Sequence, residues 1–263
     1  MFNVSNFMNN PNIAIAEKKG CFTVIEYKKD ISVSPYSAQT AYFMSLMNVR
    51  QRQVLCTLSG NGIVLQAGAM QWMAGSVNAS TGVKGAGDLL TKGIKSKMTG
   101  ESAIKPEYAG TGAVMLEPTY KHLLLEDVGE WGSGMVVEDG AFLASEMSVR
   151  HEMVRRKNLS SAVAGGEGIF NLCMSGKGIA VLESPLPRNE LIEISLENDV
   201  LKIDGSMAIA WSKSLDFSVE RTTKTLIGSA SSGEGLVNVY RGTGKVLMAP
   251  LQPKRIPSGT LSI

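Results

Sequence analysis

Three glycine-centred landmarks recur in the same order along this chain, and their spacing constrains the fold more than any other feature. The first is a glycine followed by a small and then a larger apolar residue: Gly68-Ala69-Met70, Gly140-Ala141-Phe142 and Gly205-Ser206-Met207. The second is Gly-Glu-Ser/Gly, at Gly100-Glu101-Ser102, Gly166-Glu167-Gly168 and Gly233-Glu234-Gly235. The third is Gly-x-Gly running into an apolar stretch, at Gly110 and Gly112, Gly176 and Gly178, and Gly242 and Gly244. Gly110 to Gly176 is 66 residues, and Gly176 to Gly242 is 66 again. Ordered landmarks holding one register indicate repeated structural units. A unit of this length exceeds one coil of a narrow solenoid, and each reads as a small sandwich or partial barrel of short strands.

Local patterning supports strands. Ile192, Ile194 and Leu196 alternate with Glu193, Ser195 and Glu197, and Leu215, Phe217 and Val219 alternate with Asp216, Ser218 and Glu220. That period of two marks a strand with one face buried. The 28 glycines beside such runs read as turn-formers, since Asp-Gly and Gly-x-Gly supply positive φ at hairpins. One stretch breaks the pattern: Leu90, Ile94 and Met98 recur at helical spacing between Asp88 and Met98, with Lys92, Lys95 and Lys97 beside them. A short basic amphipathic helix is expected there, either covering a sheet edge or docking on an anionic membrane or a protein. The expected organisation is an N-terminal extension over 1–51, β units over 52–120 (with the insertion near 88–98), 121–186 and 187–252, and a tail over 253–263.

Charge and cysteine usage narrow the function classes. Lys plus Arg is 26 against 24 Asp plus Glu, so no broad field draws in nucleic acid, and the basic residues are not interleaved with aromatics. The cysteines, Cys21, Cys56 and Cys173, form no C-x-x-C pair, which points to free thiols in a reducing compartment. With no apolar run long enough to span a bilayer and no signal-peptide layout at the N-terminus, a cytoplasmic location is expected.

The segments that invite chemistry have plainer readings. A Walker loop needs G-x-x-x-x-G-K-[ST], but Lys245 is followed by Val246, and Lys177 lies between two glycines. Glu101, Glu167 and Glu234 could converge as oxygen ligands, or each could cap a turn; no His or second Asp accompanies them, which favours the turn. Cys173 with His122 or His151 would be the candidate nucleophilic pair, yet no elbow motif surrounds a nucleophile. The methionines and Trp72, Phe142 and Trp211 fall on apolar strand positions and read as core. No catalytic residue, metal ligand or cofactor is assigned.

The runs Ala164-Gly-Gly-Glu-Gly-Ile-Phe170, Ser232-Gly-Glu-Gly-Leu236, Asp139-Gly-Ala-Phe-Leu-Ala144 and Gly100-Glu-Ser102 resemble the altered-inheritance-of-mitochondria family, over roughly residues 52–252. The resemblance implies an all-β fold similar to the tryptophan RNA-binding attenuation protein, internally triplicated into a pseudo-threefold arrangement, with at most one or two short helices. Mitochondrial members are linked to inner-membrane organisation, and the family offers no catalytic motif to map. The expected function is a non-enzymatic scaffold that self-associates or binds a protein partner, with the membrane surface as a further partner. The alternatives are a ligand- or RNA-binding regulator by fold analogy, and an enzyme using Cys173 or the carboxylates.

Overall fold

A computed structural model describes residues 2–81, 105–155, 170–221 and 236–251. In chain order it contains β1 (Ile13–Lys19), β2 (Phe22–Tyr27), α1 (Ala38–Leu46), β3 (Arg52–Leu65), β4 (Met70–Ser80), β5 (Glu107–Leu116), β6 (His122–Asp127), β7 (Met135–Val137), β8 (Phe142–Glu146), β9 (Arg150–Arg155), β10 (Phe170–Ser175), β11 (Ile179–Ser184), β12 (Ile192–Asp204), β13 (Ala208–Ser212), β14 (Asp216–Arg221) and β15 (Leu236–Met248). Short 3-10 turns lie at Val128–Trp131 and Arg188–Glu190. All pairings are antiparallel and form two partly barrel-like sheets. One runs β1-β2-β3-β8-β11-β6, with β5 and β4 branching from β3; the other runs β12-β15-β13-β7-β10-β9, with β14 branching from β15. The all-β class expected from the sequence is the class observed.

The apolar runs explain which strands lie deep. β7 (Met135, Val136, Val137) and β13 (Ala208 to Ser212) are buried at every position, because a neighbouring strand or packed layer covers both faces. Three clusters fill the interior. One gathers Phe22, Val54, Leu65 and Val114 under the first sheet, a second gathers Trp131, Phe142, Leu182 and Leu247 around β7 and β8, and a third gathers Trp211, Leu215 and Tyr240 beneath β15. Phe142 and Trp211 are core aromatics as expected, whereas Trp72 is only half-buried on β4.

The same backbone hydrogen bond recurs at three places. Glu117 N donates to Ala69 O at 2.8 Å, Glu183 N to Ala141 O at 2.7 Å, and Ala249 N to Met207 O at 2.8 Å. Each extends the pairing of the strand that follows a first-landmark turn with a later strand (β4 with β5, β8 with β11, β13 with β15), and the turn's glycine adopts positive φ (Gly68 +81, Gly140 +73, Gly205 +64). Just past each glycine one residue is skipped in the pairing: Gln71 in β4, Leu143 in β8 and Ile209 in β13. These β-bulges bend their strands at corresponding positions.

The Gly-x-Gly segments need a correction. Only Gly176 and Gly178 lie in a turn; Gly110 and Gly112 are inside β5, and Gly242 and Gly244 are inside β15. Their role in β5 is close approach. A Cβ on Gly110 would stand 2.1 Å from Ser76 O, and one on Gly112 2.1 Å from Ala74 O. The long strand can run beside β4 only if those positions carry no side chain. The N-terminal extension is likewise part of the body: β2 pairs with β3 in the register Phe22↔Cys56 to Glu26↔Arg52.

Candidate interaction surface

Lys92, Lys95 and Lys97, together with Glu101, Glu167 and Glu234, lie outside the described residues. The surface that draws notice is elsewhere, in the connection between β2 and β3. From Ile31 to Val49 the chain carries no charged residue. Pro35 and Ser37 lead into α1, and Ala41 N donates to Ser37 O at 3.0 Å in its first turn. The helix stops at Asn48, whose φ of +61 is the left-handed conformation common after helix C-termini. There Asn48 N donates to Ser45 O and Val49 N to Met44 O, the paired bonds of a Schellman end.

Two arginines fasten this end to the sheet. Arg50 Nε donates to Ser45 O at 2.9 Å, and Arg52 Nη2 donates to Asn48 O at 3.0 Å and Asn48 Oδ1 at 2.8 Å. Both guanidiniums also pair with Glu26 on β2, at 2.8 Å for Arg50 and 2.7 Å for Arg52. Arg52 is buried, so its charge is tolerated because Glu26 and the helix carbonyls surround it. Cations at a helix C-terminus also complement the helix dipole. The anchor is therefore firm.

What it holds is apolar and wet. No residue of α1 is buried. Tyr42, Phe43 and Leu46 are 61%, 56% and 62% exposed, and Met47 just beyond is 77% exposed. Ile31 and Tyr36, ahead of the helix, stand almost wholly in solvent. A solvated helix on a globular protein ordinarily turns a polar face outward and an apolar face inward. This one carries no charge, scatters Gln39, Thr40 and Ser45 around its circumference instead of gathering a polar face, and half-buries only Ala41, Met44 and Ser45, on the side towards Tyr27 and Tyr120.

A cleft of about 670 Å³ opens beside the tail of this segment. Val49, His122, Gly140, Ser184 and Ile209 line it, with the Lys121–Glu183 ion pair (2.5 Å) at its margin. Partial burial and the nearby Arg52 cation hold His122 down to about 4, so it is neutral near pH 7.

The residues proposed from sequence as a nucleophilic pair are not brought together as one. Cys173 sits in β10 opposite Glu152, and its thiol is pushed up to about 12 by burial and by that carboxylate. Cys21 is likewise pushed up to about 12 by burial and by Glu146, and buried Cys56 also moves upward. Nucleophilic thiols require the opposite shift. His151 Nε2 lies 3.0 Å from Ser145 Oγ, but Ser145 is fully buried between β3 and β11. A substrate cannot reach that oxygen. Among the described residues no group of three or more His, Cys, Asp or Glu side chains could hold a metal ion, and no helix is long and apolar enough to cross a membrane.

Comparison with known proteins finds relatives that span most of the chain. An uncharacterized protein of Streptococcus pyogenes serotype M6 is 29% identical over 210 residues, covering 77% of this chain and 82% of its own. The X-ray crystal structure of a Streptococcus pyogenes protein, 26% identical, superposes with a TM-score of 0.58 over 78% of this chain and 90% of its own. Residues 44–251 match the family described as Mitochondrial biogenesis AIM24, and the chain belongs to that family.

Proposed function

We propose that this protein is a non-enzymatic scaffold that docks on a membrane surface through the segment from Ile31 to Val49. One observation carries the reading: an uncharged helix with Tyr42, Phe43 and Leu46 exposed, held on the sheet by two arginines at its C-terminal end. The helix spans nine residues, too few to cross a bilayer, so its exposed apolar side chains would enter the boundary of headgroups and chains while Ala41, Met44 and Ser45 face the protein. Tyr36 and Tyr42 are residues favoured at that depth, and the exposed Lys28 and Lys29 precede the segment.

The magnitude sets a further requirement. Ile31, Tyr42, Phe43, Leu46 and Met47 are each more than half exposed, and transfer of each out of water is worth about 1 kcal/mol. A gross gain of about 5 kcal/mol is less than a single myristoyl chain supplies, and that anchor is itself marginal. Stable attachment then calls for several copies acting together, which fits a self-associating scaffold. The buried thiols and the inaccessible Ser145 support a role without catalysis.

Flotation with neutral phosphatidylcholine vesicles tests the reading. The protein should float at both low and high salt, because the contact is apolar, and the double variant Phe43→Glu/Leu46→Glu should not float. Failure of the unaltered protein to bind, or undiminished binding by the variant, overturns it. Binding that needs anionic lipid and disappears in a Lys92→Glu/Lys95→Glu/Lys97→Glu variant would instead place the contact on the lysine segment.

The cleft beside His122 supports a second reading, a ligand- or RNA-binding regulator akin to the tryptophan RNA-binding attenuation protein. RNA binding would weaken steeply with salt. No binding at low salt ends that version.

A further inference from the structure

The three hairpin units are joined in a row by two strand junctions that share one geometry. In the first, β3 pairs with β8 in the register Ile63↔Glu146, Val64↔Ser145 and Leu65↔Ala144. It is flanked by Gln66 N donating to Leu143 O at 2.8 Å and Met147 N donating to Gly62 O at 2.9 Å. In the second, β7 pairs with β13 in the register Met135↔Ser212, Val136↔Trp211 and Val137↔Ala210. Its flanking bonds are Glu138 N to Ile209 O at 3.0 Å and Lys213 N to Gly134 O at 2.9 Å. In both, the carbonyl of the bulged residue, Leu143 or Ile209, accepts the bond from the neighbouring unit.

Each junction takes the rising strand of one unit and the bulged strand of the next. That leaves one of each unused: the rising strand β12 of the last unit and the bulged strand β4 of the first. Among the described residues β12 pairs only with β15, and β4 only with β5. Gly205 stands one residue further from its bulge, Ile209, than Gly68 and Gly140 do from theirs, so the rising strands are matched through the strand that returns beside them. Leu65, Val137 and Ile203 each bond or pair with the residue four before a Gly-x-Gly, Pro106, Leu172 and Asn238. Leu201 then falls opposite Ala74, Lys202 opposite Met73 and Ile203 opposite Trp72, with Asp204 N aimed at the carbonyl of the bulged Gln71.

Burial at these positions points the same way. Ile63, Val64 and Leu65, and Met135, Val136 and Val137, are all buried. At the corresponding places of β12, Leu201 is half-buried and Lys202 is exposed, while Ile203 is buried against the core beneath β15. On the bulged side, Ala144, Ser145, Ala210, Trp211 and Ser212 are buried, whereas Met73 is 43% exposed and Trp72 and Ala74 are half-buried. Among the described residues no strand covers either edge, whereas their counterparts are each covered by a neighbouring strand.

We propose that a second copy of this chain supplies the missing strand, β12 of one molecule pairing with β4 of the next in the register Leu201↔Ala74. The contact continues the geometry that already joins the units within one chain. Because the two edges differ, the interface is heterologous and propagates head to tail until a ring closes or a filament forms. The assembly rests on the scaffold reading and provides its multiple copies, but it does not depend on where α1 docks.

Engineered cysteines test it. By analogy with the existing junctions, Leu201 and Ala74 form a non-hydrogen-bonded pair, with Cα atoms close enough for a disulfide. A Leu201→Cys protein and an Ala74→Cys protein are mixed and oxidised, with the unaltered protein, whose three cysteines are buried, as control. A covalent heterodimer as the major product, absent when either variant is oxidised alone, is the expected result. The Leu201→Cys/Ala74→Cys double variant should then give a ladder of multimers on non-reducing gels. No heterodimer, or a double variant that closes its disulfide within one chain, overturns the proposal. Vesicle flotation reads α1 separately, so either idea can fail alone.

Discussion

Replacing His151 with glutamine should flatten part of the acid dependence of stability. His151 lies on β9 with its ring edge-on to Phe142 (centroids 5.2 Å apart) and Nε2 at 3.0 Å from the buried Ser145 hydroxyl. Burial first, and then the Lys105 ammonium, hold it down from 6.5 to about 4. In the unfolded chain the imidazole charges below about 6.5; in the folded chain it stays neutral until about 4. The unfolded state therefore binds the extra proton throughout that window, so folding stability falls as pH drops through it and levels off below. At about 1.4 kcal/mol per pH unit, the drop from 6.5 to about 4 costs the folded protein about 3 kcal/mol by pH 4. Urea unfolding followed by fluorescence between pH 4 and pH 8 measures it. Glutamine can still hydrogen-bond Ser145 but does not titrate, and His122 and the carboxylates contribute equally to both proteins. The difference between the two curves isolates residue 151. It should change by about 3 kcal/mol across the window, with the variant gaining relative to the unaltered protein as the solution is acidified. Parallel curves would refute the reasoning.

Three other changes probe the scaffold. Gly110→Ala should lose about 2–4 kcal/mol in urea unfolding, because φ is +135 there and the new Cβ would meet Ser76 O at 2.1 Å; a loss below about 1 kcal/mol would show that β5 can shift away from β4. Arg52→Met should cost about 3 kcal/mol, since it removes one partner of a buried ion pair, and should raise amide exchange from Tyr42 to Asn48 by freeing the α1 C-terminus; unchanged exchange would argue against the anchor. A thiol reagent should label Cys21, Cys56 and Cys173 slowly in the native protein and rapidly in denaturant, and rapid native labelling of any one would show a thiol more open than its burial allows.

Much of the fold was legible because glycine at a demanding backbone position leaves few choices. Gly68, Gly140 and Gly205 mark turns of positive φ, and the alternation around Phe217 marks a strand. The Gly-x-Gly segments were misassigned in two of three cases because positive φ and close approach to a neighbouring backbone both select glycine, and sequence cannot separate a turn from a strand passing another at short range. The α1 surface was missed for a different reason. Sequence reading looks for amphipathic periodicity and charge, and an uncharged helix whose polar residues are scattered around it has neither. The available signal was negative: a run without charge from Ile31 to Val49 in a chain with 19% charged residues.

The junctions between units show why interaction surfaces resist this kind of reading. Gln71, Leu143 and Ile209 occupy the same bulge, yet they share no side-chain chemistry, because the bulge is set by the turn glycine before it and by the carbonyl it presents. Main-chain pairing imposes register without imposing residue type, provided the side chains suit the local burial. Leu201, Lys202, Trp72 and Met73 therefore look like ordinary strand residues. Their significance appears only when burial is compared at corresponding positions, where their counterparts in the two existing junctions are buried and they are not. A protein that repeats one junction inside its own chain already holds both halves of that junction at its two ends. Exposed strand edges of this kind are ordinarily blunted by charge, proline or a covering loop. In the stretch from Leu201 to Asp204 the charges are Lys202 and Asp204, and from Gln71 to Gly75 the sequence has neither charge nor proline.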